Sequence, residues 1–104
     1  MIERHVLIKL KAEHANDAAR REIAIATLTA LRAIPQVRAV RVGVPADAHA
    51  ISAWDLSLVV DLDTLADVQP YMDDAGHQRF TLEYLRPKVE VVKHWNFETT
   101  ELAR

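Results

Sequence analysis

The chain has 104 residues, enough for one domain, because dividing it would leave each half near the size where a hydrophobic core becomes marginal. Half of it is apolar, 27% is charged and two residues are glycine, a composition that folds rather than staying disordered. Thirteen Lys and Arg against fifteen Asp and Glu give a formal charge of −2, so neither nucleic acid nor a membrane surface is expected as a partner, and the lack of cysteine excludes disulfides, thiolate nucleophiles and cysteine-ligated zinc or iron–sulfur sites.

Ile2 to Lys11 is short, rich in Val, Ile and Leu, and ends in the polar Ala12–Asp17 segment, as a strand does. Its apolar residues are too few and too interrupted by Glu3, Arg4, His5 and Lys9 for a signal peptide or a membrane span, which points to a cytoplasmic protein. Asn16 or Asp17 can cap the next segment, Ala18 to Ile34, which lacks Gly and Pro and repeats Ile23, Ala26, Ala30, Leu31 and Ile34 at helical steps. This predicts an amphipathic helix with Arg20, Arg21 and Glu22 toward solvent and Pro35 just past its end.

Val40, Val42 and Val44 alternate with Arg41 and Gly43, a second strand that Pro45 closes. A loop over Ala46–Ser52 leads to the clearest strand, in which Trp54, Leu56, Leu58, Val60 and Leu62 occupy every second position. Thr64 followed by Asp67 has capping-box spacing, so a helix is expected from about Leu65, kinked or ended by Pro70 near Met72. Asp73-Asp74-Ala75-Gly76 is turn chemistry, a second helical stretch runs from His77 to about Arg86, and the last strand runs from Val89 or Val91 to Phe97. Residues 99–104 lack periodicity and are expected to fray, leaving a domain over residues 1–98.

The order β-α-β-β-α-β, with right-handed crossovers, is an α+β arrangement of the ferredoxin-like kind: an antiparallel sheet in the order 4-1-3-2 with both helices on one face. The first strand is apolar on both faces at Val6, Leu7 and Ile8, and the last carries Trp95 and Phe97. The face away from the helices therefore needs a cover, and a second copy of the chain, in a homodimer built sheet against sheet, is expected to supply it.

Met1-Ile-Glu-Arg-His-Val-Leu-Ile-Lys-Leu-Lys11, the helix exit from Leu28-Thr-Ala-Leu31 to Pro35-Gln-Val37, Ala53-Trp54-Asp55, and Tyr71-Met-Asp-Asp-Ala-Gly-His77 before Tyr84-Leu85-Arg86-Pro87 together resemble the stress-responsive dimeric α/β-barrel family over residues 2 to 98. The resemblance implies a ferredoxin-like subunit and a dimeric α/β barrel. Within the family the chain is similar to olivetolic acid cyclase-type proteins, which carry out an aldol condensation without metal or cofactor. Their acid/base pair, a tyrosine and a histidine six positions later, corresponds to Tyr71 and His77. Where those proteins have His-Pro-Ala between the two, this chain has Asp74-Ala75-Gly76. Two further pocket residues of theirs, a tyrosine and a histidine, fall at Thr27 and Leu56. Their N-terminal histidine matches His5 by counting from the chain start and Arg4 by aligning Lys9-Leu10-Lys11, and a shift of one residue in a strand reverses the face that a side chain occupies.

Histidine titrates near working pH and is the natural acid/base group. His77 is the first candidate, with a solvated helix-end residue as its simpler role. Tyr71 is the candidate hydroxyl donor, with half-buried packing as its alternative. His5 or Arg4, with Trp54 and Phe80, are candidates to contact a substrate, although aromatic residues more simply fill a core. Asp73 and Asp74 invite a paired-carboxylate reading, but Asp74 serves more simply as a helix cap. His14 and His49 fall in loops, and His94 with His5 lacks a third ligand for a metal. No Gly-rich phosphate loop, Gly-x-Ser-x-Gly elbow or His-Glu-x-x-His signature occurs. The expectation is a small-molecule-binding dimer that needs no cofactor, either an acid/base enzyme acting on a carbonyl compound as a cyclase, lyase or isomerase, or a non-catalytic ligand-binding or stress-protective protein.

Overall fold

The Val/Ile/Leu-rich opening segment forms β1 (Ile2–Leu10) in a computed structural model that describes residues 1–103. Arg104, the end of the tail expected to fray, lies outside the described residues. After β1 come α1 (Asp17–Leu31), β2 (Ala39–Gly43), α2 (Ala48–Ala53), β3 (Leu56–Leu62), α3 (Val68–Asp73), α4 (Ala75–Arg79) and β4 (Val89–Glu98). All strand pairs are antiparallel in the order β2-β3-β1-β4, the ferredoxin-like order expected, read from the opposite edge. Among the described residues, no helix is long and apolar enough to cross a membrane.

β1 is hydrogen-bonded on both sides: Val6 faces Leu58 of β3 and His94 of β4, and Ile8 faces Leu56 and Val92. The two-residue period turns Ile2, Ile8 and Leu10 toward the helices, where they join Leu56, Leu58, Val60 and Leu62 of β3, Ile23, Ala24 and Leu31 of α1, Ile34 and Tyr71 in one core. β4 is an edge strand whose residues from Glu90 to Glu98 are exposed on both faces. Thr99 extends the pairing by one residue, its N–H donating to the Met1 carbonyl over 3.1 Å.

Asn16 caps α1 by accepting the Ala19 N–H at 2.9 Å. Arg20, expected toward solvent, is instead buried, because Asp55 meets it beneath the helix. The Arg20 Nε donates to Asp55 Oδ1 over 3.0 Å, and the other Asp55 oxygen accepts the Leu10 N–H at 2.7 Å. The Asp55 N–H in turn donates to the Ile8 carbonyl over 2.8 Å. One carboxylate thus ties α1 to the end of β1 and the start of β3.

The expected loop over Ala46–Ser52 contains α2, which Asp47 caps by accepting the Ala50 N–H at 2.8 Å. Six residues are too few to display a helical period, so only the cap signalled it. Trp54 closes α2, its N–H donating to the Ala50 carbonyl over 2.9 Å, so β3 begins at Leu56 rather than at Trp54.

Asp67 accepts from both the N–H and the hydroxyl of Thr64, at 3.0 and 3.1 Å, opening a 3₁₀ turn that leads into α3. Pro70 lies in the first turn of α3, where its missing N–H costs nothing. The helix breaks later, at Asp74, whose ψ of 130° is extended. Asp74 then caps α4, accepting the Gly76 N–H on its side chain at 3.1 Å, so the second stretch starts at Ala75 rather than His77. Beyond α4 the chain winds as a π-helix over Phe80–Leu85 and a 3₁₀ turn over Arg86–Lys88.

Removing one partner of a buried ion pair strands the other charge and costs about 3–5 kcal/mol. Asp55→Ala should therefore lower the urea unfolding midpoint by that equivalent at unchanged slope. Arg38→Ala, which breaks a solvent-exposed pair with Asp63, should leave the midpoint nearly unchanged.

Candidate functional site

The interruption at Asp74 opens a cavity of about 370 Å³ between the sheet and the helix layer. β1 contributes Arg4, Val6 and Ile8 to it, and the helix layer contributes Tyr71, His77 and Phe80. Tyr71 is almost fully buried, and its ring centroid lies 4.5 Å from that of His77 at an interplanar angle of 54°. The His77 Nδ1 is buried without a hydrogen-bond partner. Arg4 is 6% exposed, and its guanidinium donates to the Asn96 side-chain oxygen over 2.9 Å, directly across the β1–β4 pair.

Burial depresses the His77 pKa below the ordinary imidazole value, and repulsion from Arg4 depresses it further, while the Met72 carbonyl and the Asp74 carboxylate oppose both. Burial pushes the Tyr71 phenol up to about 12, against a smaller pull from Arg4. Burial also lowers the Arg4 pKa, although an arginine keeps its proton throughout the working range. At neutral pH the cavity therefore presents a neutral imidazole, a phenol that retains its proton, and a cation. A proton acceptor, a hydrogen-bond donor and a fixed positive charge within one enclosure can remove a proton and stabilise the negative charge that results.

The choice between Arg4 and His5 is settled by strand parity. His5 points to the open face of the sheet, where its Nε2 is 2.9 Å from Glu3 and its ring packs edge-on against Phe97 at 5.4 Å. His5, a candidate to contact a substrate, therefore does not line this cavity. Trp54 is also outside the cavity: as the residue that ends α2 it lines a separate groove with Leu7, Gly43 and Pro45. Phe80 lines the cavity and is stacked on Tyr84 at 5.2 Å.

Thr27 is fully buried with its hydroxyl donated to the Ile23 carbonyl over 2.7 Å, and Leu56 belongs to the core, so neither sends a polar group into the cavity. Asp73 accepts from the Gln69 side chain at 2.9 Å and Asp74 is a cap, so the two do not form a carboxylate pair. His94 reaches the cavity from β4, while His14 and His49 stay outside it. Among the described residues, no three His, Asp or Glu side chains are grouped to hold a metal ion. Asn96, which holds Arg4, escaped the sequence reading; its only signal is its position opposite Arg4, visible once the β1–β4 register is known.

Residues 2–99 match the family model of the stress-responsive A/B barrel domain. The chain belongs to this family. Solved structures similar to it include a protein from Arabidopsis thaliana with a TM-score of 0.81 at 12% identity, covering 100% of both chains. A dimeric ferredoxin-like protein of unknown function from Thermobifida fusca has a TM-score of 0.76 at 21% identity, covering 94% of this chain and 90% of its own. A hydroxynitrile lyase from Passiflora edulis has a TM-score of 0.74 at 18% identity, covering 99% and 97%. At these identities the likeness shows the shared fold. No curated protein matches the sequence.

Proton uptake by the His77 ring, followed by NMR, should occur below the ordinary imidazole pKa of 6.5. Arg4→Met removes a repelling charge and should move that titration upward. The unfolded chain binds this proton more readily than the folded one, so stability rises with pH across the window between the two pKa values. The contribution from His77 should be complete above about pH 6.5 and lost as the pH falls through the depressed folded value.

Proposed function

We propose that this protein is a cofactor-independent acid/base enzyme acting on a small carbonyl compound. The observation that carries this reading is the buried, unpartnered Nδ1 of a neutral His77 held against Tyr71 in the cavity that also contains Arg4. His77 takes a proton from the carbon next to the carbonyl, and the electron pair of the broken C–H bond moves into the C=O group. Tyr71 donates a hydrogen bond to the oxygen as it becomes negative, and Arg4 supplies the positive charge. The enolate carbon then attacks a second carbonyl, whose oxygen takes the proton back from the His77 imidazolium, or the delocalised anion takes that same proton at a different atom. The same pair, run in reverse, cleaves a carbon–carbon bond, and a hydroxynitrile lyase with this fold is consistent with that direction.

A non-catalytic ligand-binding role is favoured by one observation: Thr27 and Leu56 are buried in the core, so neither position supplies a further polar side chain to the cavity. Hydrogen–deuterium exchange next to the carbonyl of a panel of aryl and alkyl ketones in D₂O separates the two readings. His77→Ala should lower the exchange rate about 100-fold or more, and Tyr71→Phe, which keeps the ring packing, about 100-fold to 1000-fold. The acid-side limb of the rate profile should fall below pH 6.5, following the depressed His77 pKa. Full exchange in both variants overturns the catalytic reading.

Two copies, we infer, associate through the open face of the sheet. Trp95 and Phe97 are 48% and 53% exposed there beside His5, and β4 leaves a ten-residue edge without a neighbour among the described residues. Such edges are normally covered, and the Thermobifida fusca protein with this fold is dimeric. Sedimentation equilibrium should give twice the 11.7 kDa chain mass, and Trp95→Lys combined with Phe97→Glu should give monomers that retain the helical far-UV signal.

A further inference from the structure

The two buried arginines are treated differently. Arg20 has two carboxylates, Asp55 at 2.9 Å and Asp17 at 3.1 Å. Arg4 is buried to the same degree, 6% exposed in each case, yet its one hydrogen bond among the described residues goes to the neutral amide of Asn96. Tyr71, which lines the same cavity, holds its proton and offers no negative charge. Glu90 reaches the cavity from β4 but lies six positions from Asn96, roughly 20 Å along the strand at about 3.3 Å per residue. A guanidinium presents five donors in a planar fork, and leaving most of them buried without an anion is unfavourable unless something from outside completes them. Val6, Ile8, Leu58 and Met72 make part of the wall apolar, and Thr81, His94 and the exposed Arg86 also line the cavity.

Resting on the reading of this cavity as the substrate site, we propose that its ligand carries a carboxylate, paired in bidentate fashion by Arg4, in addition to the carbonyl on which His77 and Tyr71 act. Planar, bidentate pairing is what distinguishes a guanidinium from a simple point charge and matches a carboxylate best. A cavity of about 150 Å³ suffices for benzene, so 370 Å³ leaves room for one ring or a short alkyl chain together with the acid group. The substrate class is therefore a small aryl or alkyl oxo acid.

The test uses the whole protein and two probes of the same shape, hydrocinnamate and its neutral amide, hydrocinnamamide, titrated by calorimetry at neutral pH. Hydrocinnamate should bind roughly tenfold tighter or more than the amide, as expected when a charged hydrogen-bond partner is lost. Arg4→Met should abolish that preference while unfolding at a temperature no lower than the wild type, because it replaces an unpaired buried charge with an apolar side chain. Arg4→Lys should retain part of the preference. Equal affinities for the two probes overturn the proposal, as does the absence of saturable hydrocinnamate binding at millimolar concentration. A preference that persists in Arg4→Met but disappears in Arg86→Met places the anion at the mouth of the cavity and also overturns it. The acid/base reading fails separately: ketone exchange unaffected by His77→Ala would remove it while leaving the carboxylate preference intact.

Discussion

Strand alternation in β1 is the constraint on which the rest of the structure depends. Because β1 is paired with β3 on one side and β4 on the other, its register is fixed twice, and a slip of one residue would exchange its two faces. In the observed register Ile2, Ile8 and Leu10 complete the core and Arg4 enters the cavity. Glu3 and His5 are turned to the open face, where they meet Arg41 and Phe97. The buried Asp55 reinforces that choice by holding the Leu10 N–H and Arg20 with its two oxygens. One parity therefore decides both what the cavity contains and what the open face offers a partner.

The second constraint is the break at Asp74. At about 100° per residue, positions six apart on one continuous helix point in directions about 120° apart, so Tyr71 and His77 could not share a site on an unbroken helix. The extended ψ of Asp74 restarts the helix in a new direction, and its carboxylate caps the new start, which brings the two rings to 4.5 Å. The π-helical winding of Phe80–Leu85 follows at once and places Phe80, Thr81 and Leu85 against the same space. Irregular winding of this kind is frequent at functional sites, and here it surrounds the cavity.

Much of the architecture could be read from the sequence because it rests on local signals. The alternation of Leu56, Leu58, Val60 and Leu62, the helical steps of Ile23 and Leu31, and the pairing of Thr64 with Asp67 are each visible within a few residues. The Tyr71–His77 pairing was accessible through the family resemblance rather than from periodicity, since its geometry depends on a break between the two residues. What stayed hidden depends on contacts between distant segments. Arg20 reads as a solvent-facing arginine until Asp55, 35 residues away, is placed beneath it. The roles of Arg4 and His5 could not be separated without the β1 register, and Asn96 has no local signature at all. Trp54 misleads in the opposite sense: its spacing continues the β3 alternation, while its backbone ends α2.

The electrostatics of the cavity follow from one asymmetry. Burial favours the neutral form of each titratable group, so it lowers the pKa of His77 and raises that of Tyr71. The Arg4 charge adds to the effect of burial at His77 and opposes it at Tyr71, where burial prevails. The imidazole therefore remains available as a base and the phenol as a donor over the same pH range. Arg4 cannot adapt in this way, because its guanidinium does not give up its proton. It is a persistent positive charge in the same cavity as the Tyr71–His77 pair, fixed by Asn96 and shielded from solvent. Negative charge arising on a bound molecule would be stabilised beside it without prior reorganisation of the protein, which is the condition under which a buried cation contributes most to a reaction.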